Sequence, residues 1–273
     1  MKKILFGIMI LLMGLCYQSG AQGDLLVTPA RIVFDDKQKQ ELSLVNMGKD
    51  TTTYSITFVN KRMGEDGSFV NIDKPDSGQL FAEPYLRIFP RQVTLAPGET
   101  QVIMIQCRHE AGMMSGEYRS HLFFRSEKNY LPLGSKSSGS DSASLSVQLT
   151  PIFGMSIPVI IHNGAVNVSA KLSDLKLESP DTAQYLKLTI NRSGNISIYG
   201  NLTVVYTPVQ GKPYQVGEVR GIGVYSNLNK RYVSIKLNRK YGMSLNKGKL
   251  KVRYTSPEES RSVVYAEEEL IIN

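Results

Sequence analysis

Beyond the first 21 residues, apolar positions recur at every second residue. Glu41-Leu42-Ser43-Leu44-Val45, Tyr54-Ser55-Ile56-Thr57-Phe58-Val59 and Leu145-Ser146-Val147-Gln148-Leu149 alternate apolar with polar side chains, the pattern of strands that bury one face. Between such runs stand Met47-Gly48-Lys49-Asp50, Gly64-Glu65-Asp66-Gly67, Ala96-Pro97-Gly98-Glu99 and Asn246-Lys247-Gly248, whose Gly, Pro, Asn and Asp residues suit tight reversals. No window of a dozen residues carries an apolar stripe at helical spacing; short helical turns around 239–244 remain compatible with the sequence. The spacing predicts an all-β chain, with a strand about every 8 to 12 residues, as in sandwiches and barrels.

The first 21 residues are different. Met1-Lys2-Lys3 is a basic start, Ile4 to Leu15 is apolar, and Ser19-Gly20-Ala21 places small residues where a signal peptidase cuts. The apolar run falls short of the roughly 20 residues that a membrane span needs, so residues 1–21 are expected to be a cleaved secretion signal. Leu15 stands where lipoprotein processing at Cys16 prefers Gly or Ala. Removing 21 of the 273 residues leaves 252 and takes away Lys2, Lys3 and Cys16. An exported chain whose one cysteine is Cys107 has no internal disulfide to rely on and depends on packing. Cys107 ends the strand-like run Gln101–Gln106 and is expected to be buried and inert.

A nearly continuous apolar run, Gly154 to Ile161, ends in His162-Asn163-Gly164, after which a new series of strands and turns begins. The expected units are therefore 22–160 and 161–273, each of a size suited to an immunoglobulin-like sandwich of about 100 residues. The Ser/Gly tract 134–142 reads as a loop leading into the Leu145 strand.

Composition adds little chemistry. The formal net charge is +8, but Lys and Arg are spread along the chain without a run, so no nucleic-acid partner is implied. His109, His121 and His162 lack metal-ligand spacing and read as surface or strand-end residues. There is no G-x-S-x-G elbow, phosphate loop or H-E-x-x-H. Neither catalysis, nor a metal, cofactor or small-molecule substrate, is expected. What remains is a strand, Leu145-Val147-Leu149, that could pair with a partner's strand at a sheet edge or face its own core.

The order Thr28-Pro29-Ala30-Arg31-Ile32-Val33-Phe34, Leu44-Val45-Asn46, Phe89-Pro90-Arg91-Gln92-Val93-Thr94-Leu95-Ala96-Pro97-Gly98-Glu99-Thr100-Gln101 and Gly116-Glu117-Tyr118-Arg119-Ser120-His121-Leu122 resembles the first domain of PapD-like periplasmic pilus-assembly chaperones. Leu188–Asn195, Tyr199-Gly200 and Gly248-Lys249-Leu250 are similar in style to that family's second domain. The resemblance implies two immunoglobulin-like β-sandwich domains in tandem, arranged as a boomerang. It also implies a role without catalysis, in which pilus or fimbrial subunits are stabilised by donor-strand complementation and delivered to an outer-membrane usher. Leu145, Val147 and Leu149 would be the donated knobs, and Arg31 would grip the subunit's terminal carboxylate.

The chain also departs from that family. Where a second basic anchor belongs, Phe153 or Gly154 stands. Ile157 replaces the basic residue before the strand's final proline, which puts the family's interdomain ion pair in question, and Pro151 lacks the backbone donor that pairing would use. A structural or adhesive immunoglobulin-like surface protein is the alternative reading.

Overall fold

The computed structural model describes residues 24–35, 38–127, 153–179, 183–238, 245, 247–257 and 262–272. Residues 1–21, expected to be a secretion signal, the Ser/Gly tract, Leu145, Val147, Leu149 and the 239–244 stretch lie outside the described residues. Among the described residues the one helical element is a 3-10 turn, Glu83–Tyr85. No helix there is long and apolar enough to cross a membrane.

Period-two sequence becomes two-layered structure in the first half. β1 (Leu25–Thr28), β3 (Lys39–Asn46), β9 (Thr100–Cys107) and β7 (Leu86–Phe89) form one sheet, in the order β1-β3-β9-β7. β2 (Ile32–Phe34), β11 (Gly154–Asn163), β10 (Gly116–Glu127), β4 (Thr52–Val59) and β8 (Gln92–Leu95) form the other, in the order β2-β11-β10-β4-β8. Leu42 and Leu44 of β3 and Ile103 and Ile105 of β9 meet Tyr54 and Ile56 of β4 and Leu122 and Phe124 of β10 in one buried cluster. Each such side chain contributes about 1.5–3 kcal/mol on leaving water. Cys107 lies in this core, and burial pushes its thiol up to about 11, as expected for an inert thiol. Asn46 is buried too, and its amide donates to the carbonyls of Asp50 (2.8 Å) and Leu95 (2.9 Å), which satisfies the neighbouring turn.

The second half repeats the architecture. β12 (Val168–Glu178), β13 (Gln184–Gly194) and β16 (Lys230–Leu237) pack against β15 (Tyr214–Val224), β14 (Ile198–Pro208), β17 (Gly248–Thr255) and β18 (Val264–Ile272) around a separate cluster that includes Leu186, Ile190, Val204, Ile235 and Val252. The chain is thus all-β, with two immunoglobulin-like sandwiches in tandem. A link of four residues, 164–167, separates β11 from β12.

Among the described residues, the first sandwich has a β11 stretch with one strand neighbour and an outlying hairpin. β1 pairs with β3 in one sheet, and after Arg31 the chain continues as β2 in the other, parallel to the end of β11, with Ile32 opposite Val159 and Phe34 opposite Ile161. Among the described residues, then, Val159–Ile161 have strands on both sides, whereas Gly154–Pro158 pair with β10 alone. The hairpin, β5 (Lys61–Met63) and β6 (Phe69–Asn71), stands apart from both sheets and reaches the second sandwich.

Candidate functional site in the cleft between the sandwiches

β10 departs from strict alternation: Gly116 to Leu122 are all buried. Glu117, Arg119 and His121, two apart, project from the same face of the strand, and the second sandwich covers that face. Arg119 donates through Nε to Glu117 Oε1 (2.8 Å) and through Nη2 to Ser197 Oγ (2.6 Å), and its guanidinium lies 3.8 Å from the centre of the Tyr225 ring. Glu117 Oε2 accepts the Ser197 backbone N–H at 2.7 Å and lies 3.7 Å from His162 Nε2. Burial opposes ionisation of Glu117, but Arg119, His162 and Ser197 outweigh it and hold the carboxyl far below the ordinary range. His162 Nδ1 is 2.7 Å from Asp35 Oδ1, and its pKa is raised chiefly by Glu117 and then by Asp35, against its own partial burial.

His121 corrects the expectation of a surface histidine. It is 3% exposed, and Nε2 sits 3.1 Å from the Tyr225 hydroxyl. Burial, followed by the charges of Arg119 and Lys61, pushes its pKa down to about 3, so the ring is neutral. Phe69 of β6 closes over this pair, 5.4 Å from Tyr225 and 6.2 Å from His121 between ring centres. The hairpin turn goes further into the second sandwich. Glu65 O accepts the Tyr232 N–H (2.7 Å), Met63 O accepts Asn227 Nδ2 (3.2 Å), and Gly67, at φ +84°, presses so closely on Arg231 that a Cβ there would stand 2.2 Å from Nη2.

Arg31 occupies the mouth of the same junction. It precedes β2 and is half-buried. It stands where the second strand neighbour of β11 begins. Its guanidinium lies 4.7 Å from the centre of the Tyr199 ring, a residue of β14 in the second sandwich. Among the described residues it has no hydrogen bond and no ion pair. Burial and then the like charge of Arg119 lower its pKa, and Glu117 only partly offsets them. Arg119 is matched by Glu117, so among the described residues Arg31 is a half-desolvated cation without an ion pair of its own.

Of the residues singled out from the sequence, Arg31 lies at the junction of the sandwiches, over Tyr199 and next to the stretch of β11 that has one strand neighbour among the described residues. The knobs Leu145, Val147 and Leu149 fall outside the described residues. Phe153 and Gly154 supply no second base, and a Cβ on Gly154 would meet the Phe123 ring at 2.8 Å. At Ile157 no ionic link between the sandwiches forms; the charged pair of β10 crosses the junction by hydrogen bonds to a neutral residue, and Lys230 of β16 approaches Glu65 of the hairpin at 3.6 Å. Ile157 joins the first core, and Glu117 and Arg119 bind Ser197 instead. Glu117-x-Arg119-x-His121 was the available signal, since three ionisable groups on one strand face need either water or partners.

No protein-family model matches the chain, and no curated protein matches it in sequence. Among solved structures it is similar to the CupB2 chaperone of Pseudomonas aeruginosa, at 10% identity and a TM-score of 0.45 over 91% of this chain and 100% of that one. It is also similar to a chain of the CsuC-CsuE chaperone and tip-adhesion-subunit complex of Acinetobacter baumannii, at 11% identity and a TM-score of 0.44 over 89% and 98% of the two chains. A third is the E. coli chaperone DraB, at 14% identity and a TM-score of 0.43 over 92% and 97%.

Proposed function

We propose that the chain is a periplasmic chaperone that holds pilus or fimbrial subunits by donor-strand complementation and passes them to an outer-membrane usher. The observation that carries this reading is the coincidence, among the described residues, of a strand stretch with one neighbour, Gly154–Pro158, and a half-buried guanidinium at its end, Arg31, that has no ion pair. An extended client segment laid along β11 would find main-chain donors and acceptors there. Its terminal carboxylate would meet the Arg31 fork, which can pair both oxygens. Leu145, Val147 and Leu149, just upstream in sequence, would fill the client's groove, each contributing about 1.5–3 kcal/mol. The resemblance in sequence from Thr28 to Leu122 supports the same reading. Binding of this kind needs no catalytic group.

Purification of the tagged chain from periplasm, with identification of what accompanies it, tests the proposal. Arg31→Ala and Val147→Asp should each lose the accompanying subunits while the melting temperature of the free protein stays put. Unfolding of Val147→Asp would mean that this strand faces its own core. Undiminished binding by Arg31→Ala would remove Arg31 from the site. Cleavage of the chain on intact cells by added protease would favour the surface-protein alternative.

A further inference from the structure

We infer that Tyr199 is the residue that positions Arg31, so that the carboxylate site is assembled from both sandwiches. The inference rests on the chaperone reading above. Tyr199 lies opposite Gly223 in the β14–β15 register, and the ring rests against a strand stripped of side chains. A Cβ on Gly223 would stand 3.5 Å from Tyr199 Cδ2, and one on Gly221, whose φ is +72°, would stand 2.9 Å from its hydroxyl oxygen. The next residue, Gly200, packs so tightly that a Cβ would come 2.1 Å from the Thr255 carbonyl oxygen. The ring is therefore seated by two glycines of the second sandwich, Gly221 and Gly223, while Gly200 holds the backbone beside it close to β17, and the guanidinium of the first sandwich lies over the ring at 4.7 Å.

This arrangement suits an anchor. A guanidinium carbon held over an aromatic ring leaves N–H groups directed away from the ring, and those are what a carboxylate uses. Arg119 has the same sign of charge and Glu117 offsets it only in part, while the ring of Tyr199 is the described group that the Arg31 guanidinium lies over. Without the ring, Arg31 would keep no direct contact with the second sandwich among those described, and its flexible stem would be free to turn to other rotamers. Tyr199 thereby makes the grip depend on where the second sandwich stands.

The test uses the whole chain and two synthetic peptides of alternating Val and Thr, one ending in a free carboxylate and the other in a carboxamide. By calorimetry, the wild type should bind the carboxylate form about tenfold or more tightly, as expected for a charged hydrogen-bonded pair. Tyr199→Phe should keep that ratio, because the ring face remains. Tyr199→Ala and Tyr199→Leu should bring it close to one at an unchanged affinity for the carboxamide, with Leu guarding against loss of packing in Ala. A wild-type ratio in both Ala and Leu variants would overturn the positioning role. Absence of preference or of binding in the wild type, or a preference that persists in Arg31→Ala, would instead sink the carboxylate reading beneath it.

Discussion

Arg119 and Arg31 stand in the same junction, close enough to feel each other, and they are completed differently. Arg119 has a carboxylate from its own strand, a hydroxyl from the other sandwich and a ring beneath it, and is 3% exposed. Arg31 has the ring alone and is half-buried. The difference separates a joint from a receptor. A buried cation whose charge is matched at 2.8 Å is a fixed part of the framework and has little to gain from a ligand. One that has lost much of its water without gaining an anion is relieved by whatever anion arrives.

The strongest way to break this comparison is to unmatch Arg119. Glu117→Ala would leave a buried guanidinium without its carboxylate and the Ser197 N–H without its acceptor. Removing one partner of a buried pair costs about 3–5 kcal/mol, so a loss of this size in urea unfolding is expected. A loss below about 1 kcal/mol would mean that water satisfies Arg119 and that the junction is wetter than its geometry implies. A smaller effect is expected at the hairpin. Gly67→Val would set a branched side chain against the Arg231 guanidinium at a positive φ, for about 1–3 kcal/mol. Because this strains a contact between the sandwiches and leaves both cores intact, limited proteolysis should show a loosened junction with each sandwich still resistant. Global unfolding of both together would show that the hairpin is not a separate strap.

How much of this is legible in the sequence depends on which partners are local. Leu42 and Leu44, Tyr54 and Ile56 and the 101–106 run lie in strands as the alternation predicts, because each strand's own pattern says which face is buried. The same rule fails in β10. His121 reads as a surface or strand-end residue, but the face it shares with Glu117 and Arg119 is covered by residues far along the chain, Tyr225 being 104 positions from His121. Periodicity reports that one face is apolar; it cannot report that a second domain lands on the other. Arg31 stands out through its place in Thr28–Phe34, whereas Tyr199, though part of the Tyr199-Gly200 pair, has nothing local that ties it to Arg31. Only the register of β14 with β15 brings Gly221 and Gly223 to its ring. The knobs, the most specific part of the functional reading, stay an inference from sequence.

The mildest prediction concerns the charges around the joint near neutral pH. His162 faces Asp35 from the end of β2 and Glu117 from β10, with Arg119 beyond Glu117 and Ser197 supplied by the second sandwich. Its folded pKa is raised, so the folded state holds the proton more tightly than the unfolded chain does. The stabilisation is complete below the unfolded value of about 6.5 and is lost as pH rises through the folded value. His121 works in the opposite sense: its folded pKa is lowered to about 3, so stability falls as pH drops from about 6.5 towards that value. The two limbs place the optimum of the wild type near pH 6.5, at roughly the unfolded histidine value. In urea midpoints taken from about pH 5 to about pH 9, His162→Gln should flatten the alkaline limb and leave the acid limb in place. Parallel curves on the alkaline side would show that the bridge from Asp35 through His162 to Glu117 does not hold the joint, leaving Arg119 and Ser197 to do so alone.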